Sequence, residues 1–152
     1  SVTNIESSSE ALALIHRNSA CNSLDANRLM NVQGDVFQVM RGYRDRGTKF
    51  DMVILDPPKF VHAEQQLQSG CRGYKDINLL AIKLLNAGGL LITFSCSGHV
   101  GPDLFRKIIA DAAVDAGRTA RVIAALEQPC DHPVALNFPE GRYLKGLVCH
   151  VE

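Results

Sequence analysis

At 152 residues, with 46% hydrophobic and 21% charged side chains, the chain has the length and composition of one globular domain, residues 1–152, with an ordinary core. A formal net charge of +0 supplies no whole-chain field towards nucleic acid, so any RNA contact must come from a local basic patch. Five cysteines without a CxxC pair argue against a disulfide framework and a zinc site, and no apolar run marks a membrane span or signal peptide, so a reducing, cytoplasmic setting is expected.

Val2-Thr3-Asn4-Ile5 predicts a short strand ending at Glu6. Ser7 and Glu10, three positions apart, form a capping box for a helix whose buried side carries Ala11, Leu14 and Ile15. Leu29 to Gly34 predicts a second strand, after which Val36, Val39, Met40 and Tyr43 recur at helical spacing. Met52-Val53-Ile54-Leu55 is continuous, apolar and rich in β-branched residues, the pattern of a strand buried on both faces of a parallel sheet. Pro57 and Pro58 cannot extend the ladder, so the chain leaves the sheet at Asp56. That carboxylate is thereby set at a strand's carboxyl end, where open α/β sheets bind ligands, although Asp-Pro-Pro alone is also an ordinary turn.

His62 to Gly73 is polar and without period, and reads as a long connection. Tyr74 opens a helix on which Ile77, Leu80, Ala81 and Leu84 share a face, with Gly88-Gly89 as its stop. Leu90 to Phe94 is another buried-type strand and runs into Ser95-Cys96-Ser97-Gly98. Pro102 suits a first helical turn, and Leu104, Phe105, Ile108, Ile109, Ala112 and Ala113 form a wide apolar stripe ending at Gly117. Arg121 to Leu126 is strand-like, and Ala135 to Phe138 and Tyr143 to Val151 flank Pro139-Glu140-Gly141-Arg142 as a hairpin. Repeated βα units closed by a hairpin predict a doubly wound α/β sheet with an antiparallel edge.

Glu6, Asp35 and Asp56 fall at or just after successive strand ends, which lie along one rim of such a sheet. There an acid can accept hydrogen bonds from ribose hydroxyls or an adenine amino group; each acid is equally a cap or turn residue taken singly. Cys96 ends the strand expected beside the Asp56 strand, in a turn of small residues ahead of a helix, where a thiol can act as nucleophile. The alternative is a small buried hydrophobe, which is the reading for Cys21 and Cys149; Cys71 and Cys130 stay open. Lys59, Arg72 and Lys75 gather in sequence around the long connection, and Arg41, Arg44, Arg46 and Lys49 form a second basic run, read as a solvated face.

Asp56-Pro57-Pro58-Lys59-Phe60, then Gly70-Cys71-Arg72-Gly73-Tyr74-Lys75-Asp76-Ile77-Asn78, then Thr93-Phe94-Ser95-Cys96-Ser97, resemble the catalytic half of the RlmI-like 23S ribosomal RNA cytosine methyltransferases. The resemblance runs from about Val2 to Val151 and implies a Rossmann-like class I methyltransferase fold using S-adenosylmethionine to make 5-methylcytosine. It casts Cys96 as the nucleophile and Asp56 as the acid contacting the cytosine, with Glu6 and Asp35 meeting the cofactor's ribose and adenine. Lys59, Arg72 and Lys75 would then line the path of 23S ribosomal RNA. Many RNA cytosine methyltransferases carry a second cysteine just after the Asp-Pro step; here Pro58 stands there.

Class I methyltransferases also have a first strand with a Gly-rich loop, and the RlmI-like enzymes an RNA-binding domain before it. Neither is read in this sequence, so the expectation is a carboxyl-terminal fragment of the catalytic domain. Weak or absent cofactor binding follows, and so does an unfilled sheet, closed by Val2 to Glu6 pairing with Met52 to Leu55 or by edge pairing in a homodimer. Two other readings stand beside the leading one: a non-catalytic fragment or interaction module, and exocyclic amine methylation, for which Asp-Pro-Pro is followed by an aromatic where Lys59 stands here.

Overall fold

The computed structural model describes residues 1–152, which form two compact units, Ser1–Arg46 and Gly47–Glu152. In the first, strand β1 (Val2–Glu6) pairs in parallel with β2 (Leu29–Gln33), in register from Val2 with Leu29 to Glu6 with Gln33. Helices α1 (Ser9–Cys21) and α2 (Val36–Asp45) follow them, and Met40 is the unit's fully buried apolar side chain. The α1 cap lies one residue later than the capping box implied. Glu6 Oε1 accepts from the Ser8 N–H (2.8 Å) and fixes the turn after β1, so that Ser8 Oγ accepts from the Ala11 N–H (3.2 Å) while Ser7 Oγ donates back to Glu6. On α1, Ala11 and Ile15 are part-buried, but Leu14 is exposed.

The second unit holds β3 (Phe50–Leu55), β4 (Leu85–Ser95), β5 (Ala120–Leu126) and β6 (Lys145–Val151) in the order β3-β4-β6-β5. β3 and β4 are parallel, and β6 is antiparallel to both its neighbours. Helices α3 (Leu67–Leu84) and α4 (Pro102–Asp115) pack on one another, and α3 meets β3 and β4. Burial alternates along β4 accordingly: Leu91, Thr93 and Ser95 are fully buried, while Ile92 and Phe94 on the other face are part-exposed. The apolar stripe on α4 is buried as its period requires, from Phe105 to Ala113.

Four expectations need correction in this unit. First, β3 is not buried on both faces: it is an edge strand, and Met52 and Ile54 are 46% and 61% exposed. Second, His62 to Gly73 is not a long connection, because a single helical turn at Glu64–Gln66 runs into α3, which begins at Leu67. Gly70 marks close approach instead of a break: a Cβ there would collide with Val61 Cγ2 and lie 2.7 Å from the Phe60 carbonyl oxygen. Third, α3 ends at Leu84, and Gly88, at φ +79°, belongs to an irregular opening of β4 where the register with β3 shifts. Fourth, Ala135 to Phe138 forms a turn, closed by Phe138 N–H to Ala135 O (2.9 Å), with Leu136 fully exposed. The closing antiparallel pair is therefore β5 with β6. The direct pairing of Val2 to Glu6 with Met52 to Leu55 is also absent, since β1 bonds to β2 and β3 to β4. No helix is long and apolar enough to cross a membrane.

Candidate active site

Leu55 pairs with Thr93, so β3 and β4 deliver Asp56 and the Ser95-Cys96-Ser97 turn to the same end of the four-stranded sheet. Asp56 is exposed, Pro57 after it is buried, and Cys96 is part-exposed between two fully buried serines. Ser97 Oγ accepts from the Val61 N–H (3.2 Å) and shares a hydrogen bond with the Tyr74 hydroxyl (2.9 Å). The Tyr74 ring is itself held between Phe60 and Phe105, with centroids 4.7 and 5.8 Å away. One hydroxyl thus ties the loop that follows Asp56 to the turn that carries Cys96 and to α3. Ser97 N–H donates to Ser95 Oγ at 3.3 Å, which tightens the turn further.

Lys145 completes this arrangement. It faces Ser95 across the β4–β6 ladder, and its Nζ donates to Ser97 O and Val100 O, both at 2.6 Å. Burial pushes its amine below the ordinary lysine value; Cys96 works against that shift and Lys59 adds to it. Beside the turn, a cleft of about 440 Å³ is lined in part by Val100, Phe105, Arg106, Glu127, Arg142 and Lys145.

Glu6 and Asp35 come together on the first unit. Glu6 ends β1 and Asp35 follows β2 at one end of the two-stranded sheet, where Gly34 N–H donates to Glu6 O (3.1 Å). Glu6's carboxyl is held below its ordinary value, chiefly by the Ser8 backbone N–H and also by Ser7. Asp35 caps α2, its Oδ1 accepting from the Gln38 N–H (2.9 Å). Both acids therefore fill the structural role that a single acid at a strand end suggests, each through one carboxylate oxygen.

The basic residues do not form one cluster in a loop. Lys59 is exposed just past β3, and Arg72 is exposed on α3. Lys75 sits further along α3 and pairs with Asp115 (2.7 Å) at the end of α4 away from the Cys96 turn; that hydrogen bond raises its amine's affinity for a proton. Among the cysteines, Cys149 is buried and its thiol is pushed up by burial, but Cys21 is exposed and not the core residue it was read to be. Cys71, part-buried on α3, is also pushed up by burial, and Cys130 is exposed in the β5–β6 connection. Sequence reasoning missed Lys145 and the tie through Ser97. Ser97 and Tyr74 both lie in motifs that drew notice, whereas Lys145 meets Ser97 and Val100 only through strand register.

The architecture is that of a Rossmann-like class I methyltransferase. It is similar to the crystal structure of SMU.776 complexed with SAH (TM-score 0.83, 21% identity, 97% of this chain and 38% of that one). It is also similar to Trm5b from Pyrococcus abyssi (TM-score 0.65, 17% identity, 99% and 37%). The family described as RNA cap guanine-N2 methyltransferase matches residues 1–60. In sequence the chain is a relative of ribosomal RNA large subunit methyltransferase I, as the motifs indicated. It is 55% identical over 150 residues to that protein from Escherichia coli O139:H28 and from Shigella boydii serotype 18, covering 99% of this chain. The chain spans 38% of the length of these relatives.

Proposed function

We propose that the chain carries the chemical centre of an S-adenosylmethionine-dependent methyltransferase that forms 5-methylcytosine in 23S ribosomal RNA through a cysteine adduct. The observation that supports this most is Cys96 itself, part-exposed at a strand end beside the Asp56 strand and flanked by serines that fix its turn. Carbon 5 of cytosine is a poor nucleophile. Addition of the Cys96 sulfur to carbon 6 forms a C–S bond and moves electron density onto carbon 5, while Asp56 steadies the ring by hydrogen bonding. The bound cofactor supplies the methyl group. Removal of the carbon-5 proton by a base then lets the C–S bond break and returns the thiol. With Pro58 where many such enzymes have a second cysteine, that base is not a thiol beside Asp56.

Glu6 and Asp35 suit the cofactor's ribose and adenine because each keeps one carboxylate oxygen clear of its backbone bond. Lys59 and Arg72 are the exposed cations offered to RNA; Lys75 is engaged by Asp115.

Exocyclic amine methylation has one observation in its favour, the match of residues 1–60 to a guanine-N2 family. That match ends before Cys96, and Lys59 stands where an aromatic serves amine chemistry, so the cytosine reading is preferred. The test replaces the matched 150 residues of the E. coli relative with this chain and supplies labelled S-adenosylmethionine and unmodified 23S ribosomal RNA. We expect 5-methylcytidine from the chimera and none from its Cys96→Ala form. RNA carrying 5-fluorocytidine, which has no carbon-5 proton to lose, should trap a covalent complex at Cys96. Undiminished turnover without Cys96, or label on an exocyclic amine, would sink the reading, and an inert chimera would favour the non-catalytic one.

A further inference from the structure

The cleft beside the Cys96 turn has two bare positions in its wall. Gly98 and Gly101 both line it, and a Cβ built on either would meet no atom within 4 Å. Neither has a positive φ, the backbone conformation that calls for glycine, and Gly101, at φ −68° and ψ 163°, is the cap residue of α4 without a side-chain capping bond. Serine there would cap the helix better. The fold therefore needs neither glycine, in contrast to Gly70, whose Cβ would strike Val61 and the Phe60 backbone. The turn that carries Gly98 is also held in place: Val100 N–H donates to Ser97 O (3.1 Å), and Lys145 Nζ donates to the carbonyls of both residues.

At about 440 Å³ the cleft has room for a nucleotide, within the range of about 300–1,000 Å³ usual for ligand pockets. Val100, Phe105 and Leu147, all buried, give it apolar surface, and Arg106 and Arg142, both more than half exposed, give it positive charge. Arg142 pairs with Glu127 at 2.6 Å and Arg106 stands 4.0 Å from Asp103. Exposed pairs of this kind are worth little, so either guanidinium can exchange its carboxylate for a phosphate. We propose that this cleft is a subsite of the RNA interface: it holds a nucleotide adjoining the target base, the strand lying against bare Gly98 and Gly101 with its phosphates on Arg106 and Arg142. The proposal rests on the reading of this chain as the chemical centre of an RNA methyltransferase. The adjoining position follows from the sequence, in which Gly98 is two residues past Cys96.

The test is binding of unmodified 23S ribosomal RNA to the chimera without cofactor, beside urea titration of the 152-residue chain. Gly98→Ala with Gly101→Ser adds two Cβ atoms to the cleft and no clash within the chain, so the urea midpoint should hold or rise. RNA affinity should fall about tenfold in the same variant, because the added atoms stand where the strand lies. Arg106→Gln with Arg142→Gln should flatten the logarithmic salt dependence of binding by about 1.4 if each meets one phosphate of a single strand. Unchanged affinity in the glycine variant, or an unchanged slope in the arginine variant, would overturn the proposal. A fallen urea midpoint in the glycine variant would show that the fold does need those glycines, and would overturn it too. Uridine monophosphate binding the parent as tightly as the RNA does would assign the cleft to a free nucleotide, with the same consequence. Because no cofactor is present, none of these results depends on which atom is methylated, so failure here is distinguishable from failure of the cytosine reading.

Discussion

Ser97→Ala removes one oxygen and should loosen three segments together. Ser97, Val61 and Tyr74 are all fully buried, and Ser97 Oγ serves both the Val61 N–H and the Tyr74 hydroxyl. Alanine fits the space, so the cost lies in the two polar groups that lose a partner, at about 1–3 kcal/mol each. A total of about 2–6 kcal/mol is expected, a large part of the stability of a unit this size. With a urea m-value of about 2 kcal/mol/M, the midpoint should fall by about 1–3 M. Protection of the Cys149 thiol against alkylation during the urea titration is the suitable reporter, because Cys149 is buried in β6 and reads the Gly47–Glu152 unit. Tyr74→Phe leaves Ser97 bonded to Val61 and should cost less, about 1 kcal/mol. Because the two residues share one hydrogen bond, the double variant should fall short of the sum. A Ser97→Ala change within about 0.5 kcal/mol of the parent, or strict additivity with Tyr74→Phe, would refute the tie between the Asp56 loop and the Cys96 turn.

Gly70→Ala should destabilise the same unit by about 2 kcal/mol or more, since its Cβ meets the backbone oxygen of Phe60 as well as Val61; an unshifted urea midpoint would contradict the close approach. Thr93 Oγ1 is buried without a hydrogen-bond partner, so Thr93→Val should be neutral or stabilise by about 1 kcal/mol in the same titration, and a clear loss would reveal a hidden partner. Neutralising Lys59 and Arg72 in the chimera should flatten the logarithmic salt dependence of RNA binding by about 1.4 if each meets one phosphate of a single strand, whereas an unchanged slope removes them from the path. Glu6 holds its proton more weakly in the folded state than when unfolded, so its contribution is present above the ordinary carboxylate value and is lost as pH falls through the lowered one. Thermal melts of Glu6→Gln should accordingly show a shallower acid limb than the parent, and superimposable limbs would remove that contribution.

The alternation of strands and helices was legible because each element carries its own period and its own stop. The α4 stripe, the β2 strand before Gly34 and the β3 stop at Pro57 depend on neighbours a few residues away, and all three fall where local chemistry puts them. Errors collected where distant contacts decide. Gly70 and Gly73 read as loop residues, yet α3 runs through them because Phe60 and Val61 lie against the helix there. Gly88-Gly89 read as a helix stop, although strand pairing had already taken over at Leu85. Of the proposed site, Cys96 and Asp56 were visible as residue types at strand ends. Lys145 was not, because its significance comes from standing opposite Ser95 in the ladder.

Exposure of Met52 and Ile54 is the most informative of these differences. A run such as Met-Val-Ile-Leu between turn signals is the pattern of a strand with neighbours on both sides and cover on both faces. Here β3 has β4 along one side and α3 on one face. It stands at the edge of the four-stranded sheet, and the side chains it exposes there are apolar. Cys96, Ser97 and Lys145 are carried and tied by β4, β6 and α3, elements that all belong to the Gly47–Glu152 unit.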